Sequence, residues 1–485
     1  MDAPKTLRSL SDIRRYFIRN ETPVYFVSAT NFNLLGVDEW VRNFHYVNYV
    51  DCFDGAHPSV FSPPELPHEE FTSIEDINAY LLGHKAVVDY IESHGPGKAV
   101  FLMFDERCEQ LCDELGLDVC FPAAHLREKV DDKISCTRIG DEAGVPSVPN
   151  VLAKIGSWTQ LREKSETLGE HLVVQTSFGD SGHTTFFISN EDDYQEHAEE
   201  IEAESEVKVM KRVRNRGTAI EACVTRHGTI VGPLMSELVG FSELTPYKGG
   251  WCGNEVMPEG FSAEVRNQAR DKTFALGEQL RKMGYRGYFE VDYLLDLDTH
   301  DLWLGEVNPR ITGASAMTNL SAFAHADAPL FLFHLLEYSK ADFELDVDTL
   351  NERWSNPENI DAWSQMVIKH VTADVDVITA APPSGIYEMA DDGSVHYVRM
   401  QTHRRTVQRP NRAFFLRIAR TGDFRYEGAD LGILIGPGRM MTEDFRLTET
   451  AKKWAAGIRR WYVGRSLPGP ALTPALDALG GFKFM

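Results

Sequence analysis

Between Gly287 and Ala314 the chain reads GYFEVDYLLDLDTHDLWLGEVNPRITGA, and its polar residues fall at strand spacing. Side chains of a strand alternate between faces, so Glu290 and Asp292 share one face of the first run, and Glu306, Asn308 and Arg310 share one face of the second. The turn-like Asp298-Thr299-His300-Asp301 between the runs predicts a hairpin. Pairing of the two runs would gather carboxylates, an amide oxygen and a guanidinium. Carboxylates together with phosphate oxygens are what Mg²⁺ prefers, and a neighbouring Arg can stabilise charge on a transferring phosphoryl group. The segment therefore predicts a metal–nucleotide site. Asp292, Asp296 and Asp298, interleaved with apolar residues, read as the solvent face of a half-buried strand. Glu306, Asn308 and Arg310 do not, because three different polar types share one face. Pro309 then ends ladder donation, and the small segment Thr312-Gly313-Ala314-Ser315 comes next.

The Glu-x-Asn-x-Arg pattern at Glu306, Asn308 and Arg310, with Glu290 one strand earlier, resembles the ATP-grasp superfamily, which includes biotin carboxylases, carbamoyl phosphate synthetases and carboxylate-amine ligases. The resemblance implies that Glu290, Glu306 and Asn308 hold two Mg²⁺ ions, or Mn²⁺ in their place, that bridge ATP phosphates. It implies that Arg310 contacts an acyl phosphate or its transition state. It extends to DDKISCTRIGDEAGVPSVPN, where Lys133 is expected on an ATP phosphate. On its residues alone, the Asp-Lys pair would serve as well for a helix cap and surface charge.

Downstream, two strand-like runs flank Gly179, Asp180, Ser181 and Gly182. Small residues let backbone N–H groups close on phosphate oxygens, and the resemblance implies a phosphate loop there. The family often carries Lys on the preceding strand, whereas this chain has the uncharged Gln175. Val207 to Arg216, VKVMKRVRNR, resembles the hinge that receives adenine through backbone groups, with Met210, Lys211, Arg212 and Val213 as its expected core. Glu221 lies where relatives place an acidic active-site residue. In TPYKGGWCGN, a break in periodicity with Pro and Gly, Lys248 is a candidate contact for an anionic substrate.

The elements that must position these residues set the expected architecture. A chain of 485 residues exceeds one compact core and predicts several domains. The first 130 residues alternate short apolar strands (Val24 to Val27, Val100 to Phe104) with helical patterns (Asp76 to Ser93, Glu106 to Leu115), which favours an α/β domain with a parallel sheet. No GxGxxG comes after either strand, so dinucleotide binding is unsupported. The resemblance implies an α/β and α+β multidomain protein: an N-terminal domain over 1–130, an ATP-grasp core over 131–340 with a small lid subdomain over about 145–215, and a β-rich appended domain over 341–465. A surface tail is expected over 466–485. An apolar helix is predicted at Pro329 to Tyr338, an acidic connector through Asp361, short strands from Gln365 to Gly436, and a helix at Thr448 to Tyr462. The basic patch His403, Arg404, Arg405, Arg409 and Arg412 reads as a solvated face.

Composition narrows the partners. With 73 acidic against 49 basic residues, the formal charge of -24 argues against nucleic acid and anionic membranes. No run of about 18 apolar residues and no signal-peptide pattern is present, so a cytoplasmic location is expected. The 7 cysteines are spread through the chain and read as reduced thiols, Cys108 and Cys112 as buried helix residues rather than metal ligands.

The expected reaction is ATP-dependent ligation of a small carboxylate to an amine, through an acyl phosphate, with release of ADP. The resemblance also implies a homodimer, since relatives with the appended domain are often dimers. Biotin carboxylases are the rival within the fold. They carry a further Glu beyond the Arg, where this chain continues Ile311-Thr312-Gly313-Ala314-Ser315, and no biotin-accepting Met-Lys-Met is present. From another class, a nucleotide sensor without turnover would also fit Gln175.

Overall fold

A computed structural model describes residues 6–66, 71–177, 185–257, 259–320, 328–404, 407 and 409–467. The predicted Gly179 to Gly182 loop, Arg405 and most of the expected tail lie outside the described residues.

The N-terminal part is the expected parallel sheet. Its strands are β1 (Val24–Ser28), β2 (Phe44–Asn48), β3 (Val60–Phe61), β4 (Lys98–Phe101) and β5 (Asp118–Val119), in the order β3-β2-β1-β4-β5. β1 is buried along its length, as an apolar run at the centre of a parallel sheet requires. The helical pattern Asp76 to Ser93 forms two helices, Ile74–Gly83 and Lys85–His94. They break at His84, whose extended backbone lets its ring nitrogen accept from the Ala86 N–H and cap the second helix.

A small antiparallel sheet comes next: β6 (Asn150–Ala153), β7 (Leu172–Gln175), β8 (Thr185–Ile188) and β9 (Val207–Lys211), ordered β6-β9-β7-β8. One face, with Leu172, Val174, Ile188, Val207 and Val209, packs on Leu161, Tyr194 and Ile201 from short helices. The other face is left for the elements across from it.

Among the described residues the large sheet has 11 strands. It contains β10 (Asn215–Thr225), β11 (Gly228–Val231), β12 (Met235–Val239), β13 (Trp251–Val256), β14 (Gly287–Asp296), β15 (Leu302–Asn308) and β16 (Trp363–Lys369). A separate small sheet uses β17 (Asp376–Ala380), while β18 (Gly385–Met389), β19 (Val395–Arg399) and β20 (Arg412–Arg417) return to the large one. β21 (Phe424–Arg425) and β23 (Val463–Ser466) flank β17, and β22 (Asp430–Pro437) joins β16 to β20. The sheet passes unbroken from β13 to β16, Gly253 pairing with Met366 and Asn254 with Gln365, so the β-rich C-terminal part shares backbone hydrogen bonds with the central part. The predicted acidic connector contains a helix, Val347–Ser355, in which Trp354 is fully buried. Interleaved acids hid that amphipathic pattern. The basic patch is not a solvated face throughout. Arg404 is buried with its guanidinium 3.7 Å from the centre of the Trp363 ring, and His403 lies 2.9 Å from Glu39. All seven cysteines are free and buried, and among the described residues no helix is long and apolar enough to cross a membrane.

The centre of the sheet is held from one side by the helix Ala263–Lys282, which packs with Phe289, Val291, Tyr293, Leu302, Leu304 and Val307 in one apolar cluster. Strand β14 begins at Gly287, where φ is +99° and a Cβ would stand 2.5 Å from the ring Nδ1 of buried His334. That Nδ1 accepts the N–H of Tyr288 at 3.0 Å, so the start of the strand is fixed by a histidine that only glycine can approach. Gly287→Ala is expected to destabilise the fold by on the order of 1–3 kcal/mol, through the positive φ and the crowding of His334. A fall in the urea midpoint would show it; an unchanged midpoint would mean that β14 is not anchored there.

Candidate active site

The two predicted strands pair as a hairpin, with Glu290 opposite Asn308 and Asp292 opposite Glu306. The turn is stabilised by Asp296, which is buried rather than solvent-facing and whose Oδ1 accepts from the N–H groups of Asp298 and Thr299. Asp298 instead pairs with exposed Arg214. A bulge at Gly305 shifts the phase of β15 by one residue. Leu302, Leu304 and Val307 therefore face the apolar cluster, while Glu306 and Asn308 face the other side. A Cβ on Gly305 would lie 2.8 Å from the Asp292 carbonyl oxygen, so the bulge needs glycine.

The register corrects the reading of Asp292 as a solvent-facing residue: it stands directly across from Glu306 and accepts from Asn308 Nδ2 at 3.0 Å. The same Nδ2 lies 3.3 Å from Glu290 Oε2. On the other side of β14, β10 pairs Glu221 with Glu290 and Ala219 with Asp292. From β12 comes Glu237, a residue that spacing in the sequence did not single out. Its Oε2 lies where a Cβ on Gly217 would be only 2.4 Å away, so the missing side chain at Gly217 makes room for this carboxylate over β10. A lone Glu in the otherwise apolar run PLMSELVG was the available signal.

Glu221, Glu237, Glu290, Asp292 and Glu306 thus share one face, and the crowding is visible in their acidities. Glu290 and Asp292 are held well above the usual carboxylate range, first by burial and then by the neighbouring negative charges. Burial, with Glu306 adding to it, pushes Glu237 up to about 7. Glu221, fully buried, is also pushed up to about 7 by burial, against the pull of hydroxyl donors. Those donors include Tyr288 and Ser315, each at 2.5 Å, and Thr312 at 3.2 Å.

Two cations answer the cluster. Lys133 opens the helix Lys133–Glu142, capped by Asp132, so the Asp-Lys pair both caps and reaches inward. Its Nζ lies 3.2 Å from Glu306 Oε2, and its backbone N–H bonds the Ser177 carbonyl just past β7. Arg310 donates to Asn308 Oδ1 at 2.7 Å, and its charge reaches Glu290 and Asp131. Carboxylate and amide oxygens are the hard donors that suit Mg²⁺. Among the described residues, no three acidic, His or Cys side chains are arranged to hold a metal ion by themselves. Asn308 Nδ2 donates to Asp292 and lies 3.3 Å from Glu290, so for Asn308 to ligate an ion it would have to turn its oxygen toward these carboxylates, with a ligand supplying further oxygens.

The remaining predicted residues sit farther out. Gln175 is half-buried at the end of β7 and donates to Thr185 Oγ1 at 3.1 Å. Lys211 ends β9 exposed, the Arg212 guanidinium lies over the Phe187 ring at 5.1 Å, and Val213 is half-buried on the link to β10. Lys248 is exposed on the loop between β12 and β13, with no ion pair to the carboxylates among the described residues. Past Arg310, the hydroxyls of Thr312 and Ser315 turn to Glu221, and the backbone carbonyls meet amides. Asn33 Nδ2 donates to the Thr312 carbonyl and Gln365 Nε2 to the Gly313 carbonyl, each at 2.8 Å, and Gln365 also donates to Asn254. None of these three amides stood out in the sequence, because each acquires its place only through long-range pairing.

No protein-family profile matches the chain, and no curated protein matches it. Solved structures do. The chain is similar to carboxyaminoimidazole ribonucleotide synthase from Aspergillus clavatus, crystallised with ATP, at 12% identity and a TM-score of 0.53 over 94% of this chain and 98% of that one. It is similar to the biotin carboxylase domain of the Hydrogenobacter thermophilus 2-oxoglutarate carboxylase, crystallised with MgADP, ADP and bicarbonate, at 13% identity and a TM-score of 0.58, covering 92% and 91% of the two chains. Phosphoribosylamine–glycine ligase from Thermotoga maritima gives 12% identity and a TM-score of 0.57 over 91% and 97%. These likenesses run along nearly the full length of the chain and show that it shares the fold of these proteins.

Proposed function

We propose that this protein is an ATP-dependent ligase that joins a small carboxylic acid to an amine, with release of ADP and phosphate. The observation that carries the proposal is the register of β14 on β15, which sets Asp292 against Glu306 and Glu290 against Asn308, with Lys133 and Arg310 at either end of the row. Magnesium ions on this row would offset the charge of ATP phosphates as a carboxylate oxygen takes the terminal phosphoryl group. Lys133 would hold a phosphate oxygen from the helix start, and Arg310 would face the charge that develops on the acyl phosphate. The amine then displaces phosphate, so the protein orients partners and supplies fixed charge without a covalent step of its own. Glu221, Glu237 and the hinge residues Met210 to Val213 belong to the same cleft in this reading. The small sheet β6 to β9 would act as the lid and the strands beyond β16 as the appended domain.

A ligase is favoured over a bicarbonate-activating carboxylase by the residues after Arg310. Residues 311–315 contribute hydroxyls to Glu221 and carbonyls to Asn33 and Gln365, and no carboxylate that could act as a base toward bicarbonate. Similar proteins support both an amine-ligating chemistry and a dimer, since one is a phosphoribosylamine–glycine ligase and another a biotin carboxylase domain dimer.

The direct test is ADP release across a panel of acids and amines. Wild-type protein is expected to release ADP only with both partners present, and Glu306→Gln or Asp292→Asn to lower turnover roughly a hundredfold or more, in line with losing one fixed electrostatic contact to the transition state. Stimulation by bicarbonate alone would favour the carboxylase, and tight ATP binding without any ADP would favour a sensor.

Charge crowding gives a second expectation. The Glu237 carboxyl is raised from 4.5 to about 7, so the folded state binds its proton more tightly than the unfolded chain. The stability this contributes is fully present below pH 4.5 and is lost as pH rises through about 7. Glu237→Gln should therefore leave the ligand-free protein nearly unchanged near pH 4.5 and stabilise it by roughly 1–3 kcal/mol above about pH 8. Denaturant titrations at the two pH values test this; equal effects at both would mean that Glu237 is not under repulsion.

A further inference from the structure

Lys208 is a buried charged residue that the site described above does not use. It is fully buried in the middle of β9, between Val207 and Val209, which belong to the apolar cluster of the small sheet. Its Nζ donates to Ser147 Oγ at 2.9 Å, and no carboxylate among the described residues forms an ion pair with it. An ammonium taken out of water without a counter-ion is costly, and one hydroxyl does not replace its hydration.

The strand register gives this charge a direction. Lys208 is the direct partner of Gln175 in the β7–β9 pair, so the two side chains stand together on the face of the small sheet opposite its apolar cluster. Ser147 bridges to Leu304 of β15, two residues before Glu306, which brings this corner of the small sheet against the end of the carboxylate row. The Lys133 N–H meets the Ser177 carbonyl, two residues past Gln175. Cys136, Glu306 and Asp141 favour the Lys208 charge and Lys133 opposes it. Burial is the largest influence and draws the ammonium down to about 8 from 10.5. Lys133 is thus ion-paired with Glu306, and Lys208, on which Glu306 also acts, stands beside the neutral amide of Gln175. A cation bound to Glu306 would weaken its hold on both lysines and leave Asp141 as the other carboxylate that favours the Lys208 charge.

We propose that Lys208 is a phosphate-binding residue that, with Lys133, takes the oxygens of a nucleoside polyphosphate and supplies from β9 the positive charge that Gln175 does not provide from β7. This rests on the ATP-dependent reading above, and goes beyond it in assigning a second phosphate cation to β9. The polyphosphate gives the buried ammonium its counter-ion, and the charge sits across a strand pair from Gln175, so it can be moved between them.

Binding of MgATP and of adenosine, measured by calorimetry, separates the possibilities. Lys208→Met should weaken MgATP roughly ten- to a hundredfold, the loss of one charge-assisted hydrogen bond, and leave adenosine unchanged. In that background Gln175→Lys should restore most of the MgATP affinity. Lys208→Gln serves if the Met variant does not fold. A folded variant that binds MgATP as the wild type does, or loses adenosine equally, or is not rescued by Gln175→Lys, overturns the assignment. Wild-type protein that binds no MgATP would instead refute the ATP-dependent reading itself.

Discussion

The physical constraint on which the rest of the molecule depends is the repulsion among five carboxylates on one face of a single sheet: Glu221, Glu237, Glu290, Asp292 and Glu306. Like charges at neighbouring strand positions destabilise a sheet, and burial adds the cost of leaving water. The chain tolerates this because the opposite face of the same strands is apolar, packed on a 20-residue helix. The sheet is also extended through β10, β12 and β13, so β14, β10 and β12 are paired on both sides and Glu306 alone sits on an edge strand, β15. Neutral donors carry part of the load. Asn308 lies between Glu290 and Asp292, and hydroxyls of Tyr288, Thr312 and Ser315 surround Glu221. The result is a surface that gains from a cation, which is why the register of two strands carries more of the functional argument than any single residue.

That register was legible in part. Glu306, Asn308 and Arg310 could be picked out because their types are mixed and their spacing is regular, and the hairpin between them and Glu290 is signalled by the turn residues. The partner of Glu306 was not legible. Simple alternation treats Glu290 and Asp292 alike, and only the bulge at Gly305 decides which of them stands opposite. A glycine within a strand signals a bulge without fixing the register that results.

The same limit runs through the fold. The parallel N-terminal sheet and the helices Glu106–Glu114 and Lys133–Glu142 can be read from local periodicity and capping residues, Asp105 and Asp132 among them. His84 was not legible as a break, since its capping role depends on a backbone turn rather than on composition. The union of β13 with β16 could not be foreseen, because strands so far apart in the chain carry no local mark of pairing. Glu237, Asn33, Asn254 and Gln365 reach the site through such long-range pairings, and a search for spaced motifs passes over them.

The distribution of charge also constrains how such a site could choose its substrate. Fixed charge is concentrated at the row, where Lys133 and Arg310 lie beside five carboxylates, whereas residues 312–315 bring hydroxyls and backbone carbonyls that meet amides and Glu221. Neutral groups of that kind can orient a polar molecule without the cost of desolvating another ion, and they discriminate by hydrogen-bond complement, since an unmatched buried amide is costly. In the ligase reading the acid's own charge would then have to be met by Arg310 at the boundary between the two regions. The reacting carboxylate would lie at that boundary, its remaining groups among Asn33, Asn254 and Gln365. The fold would thus keep the charge-dependent chemistry on rigid strands and leave substrate choice to neutral side chains brought in from three separate parts of the chain.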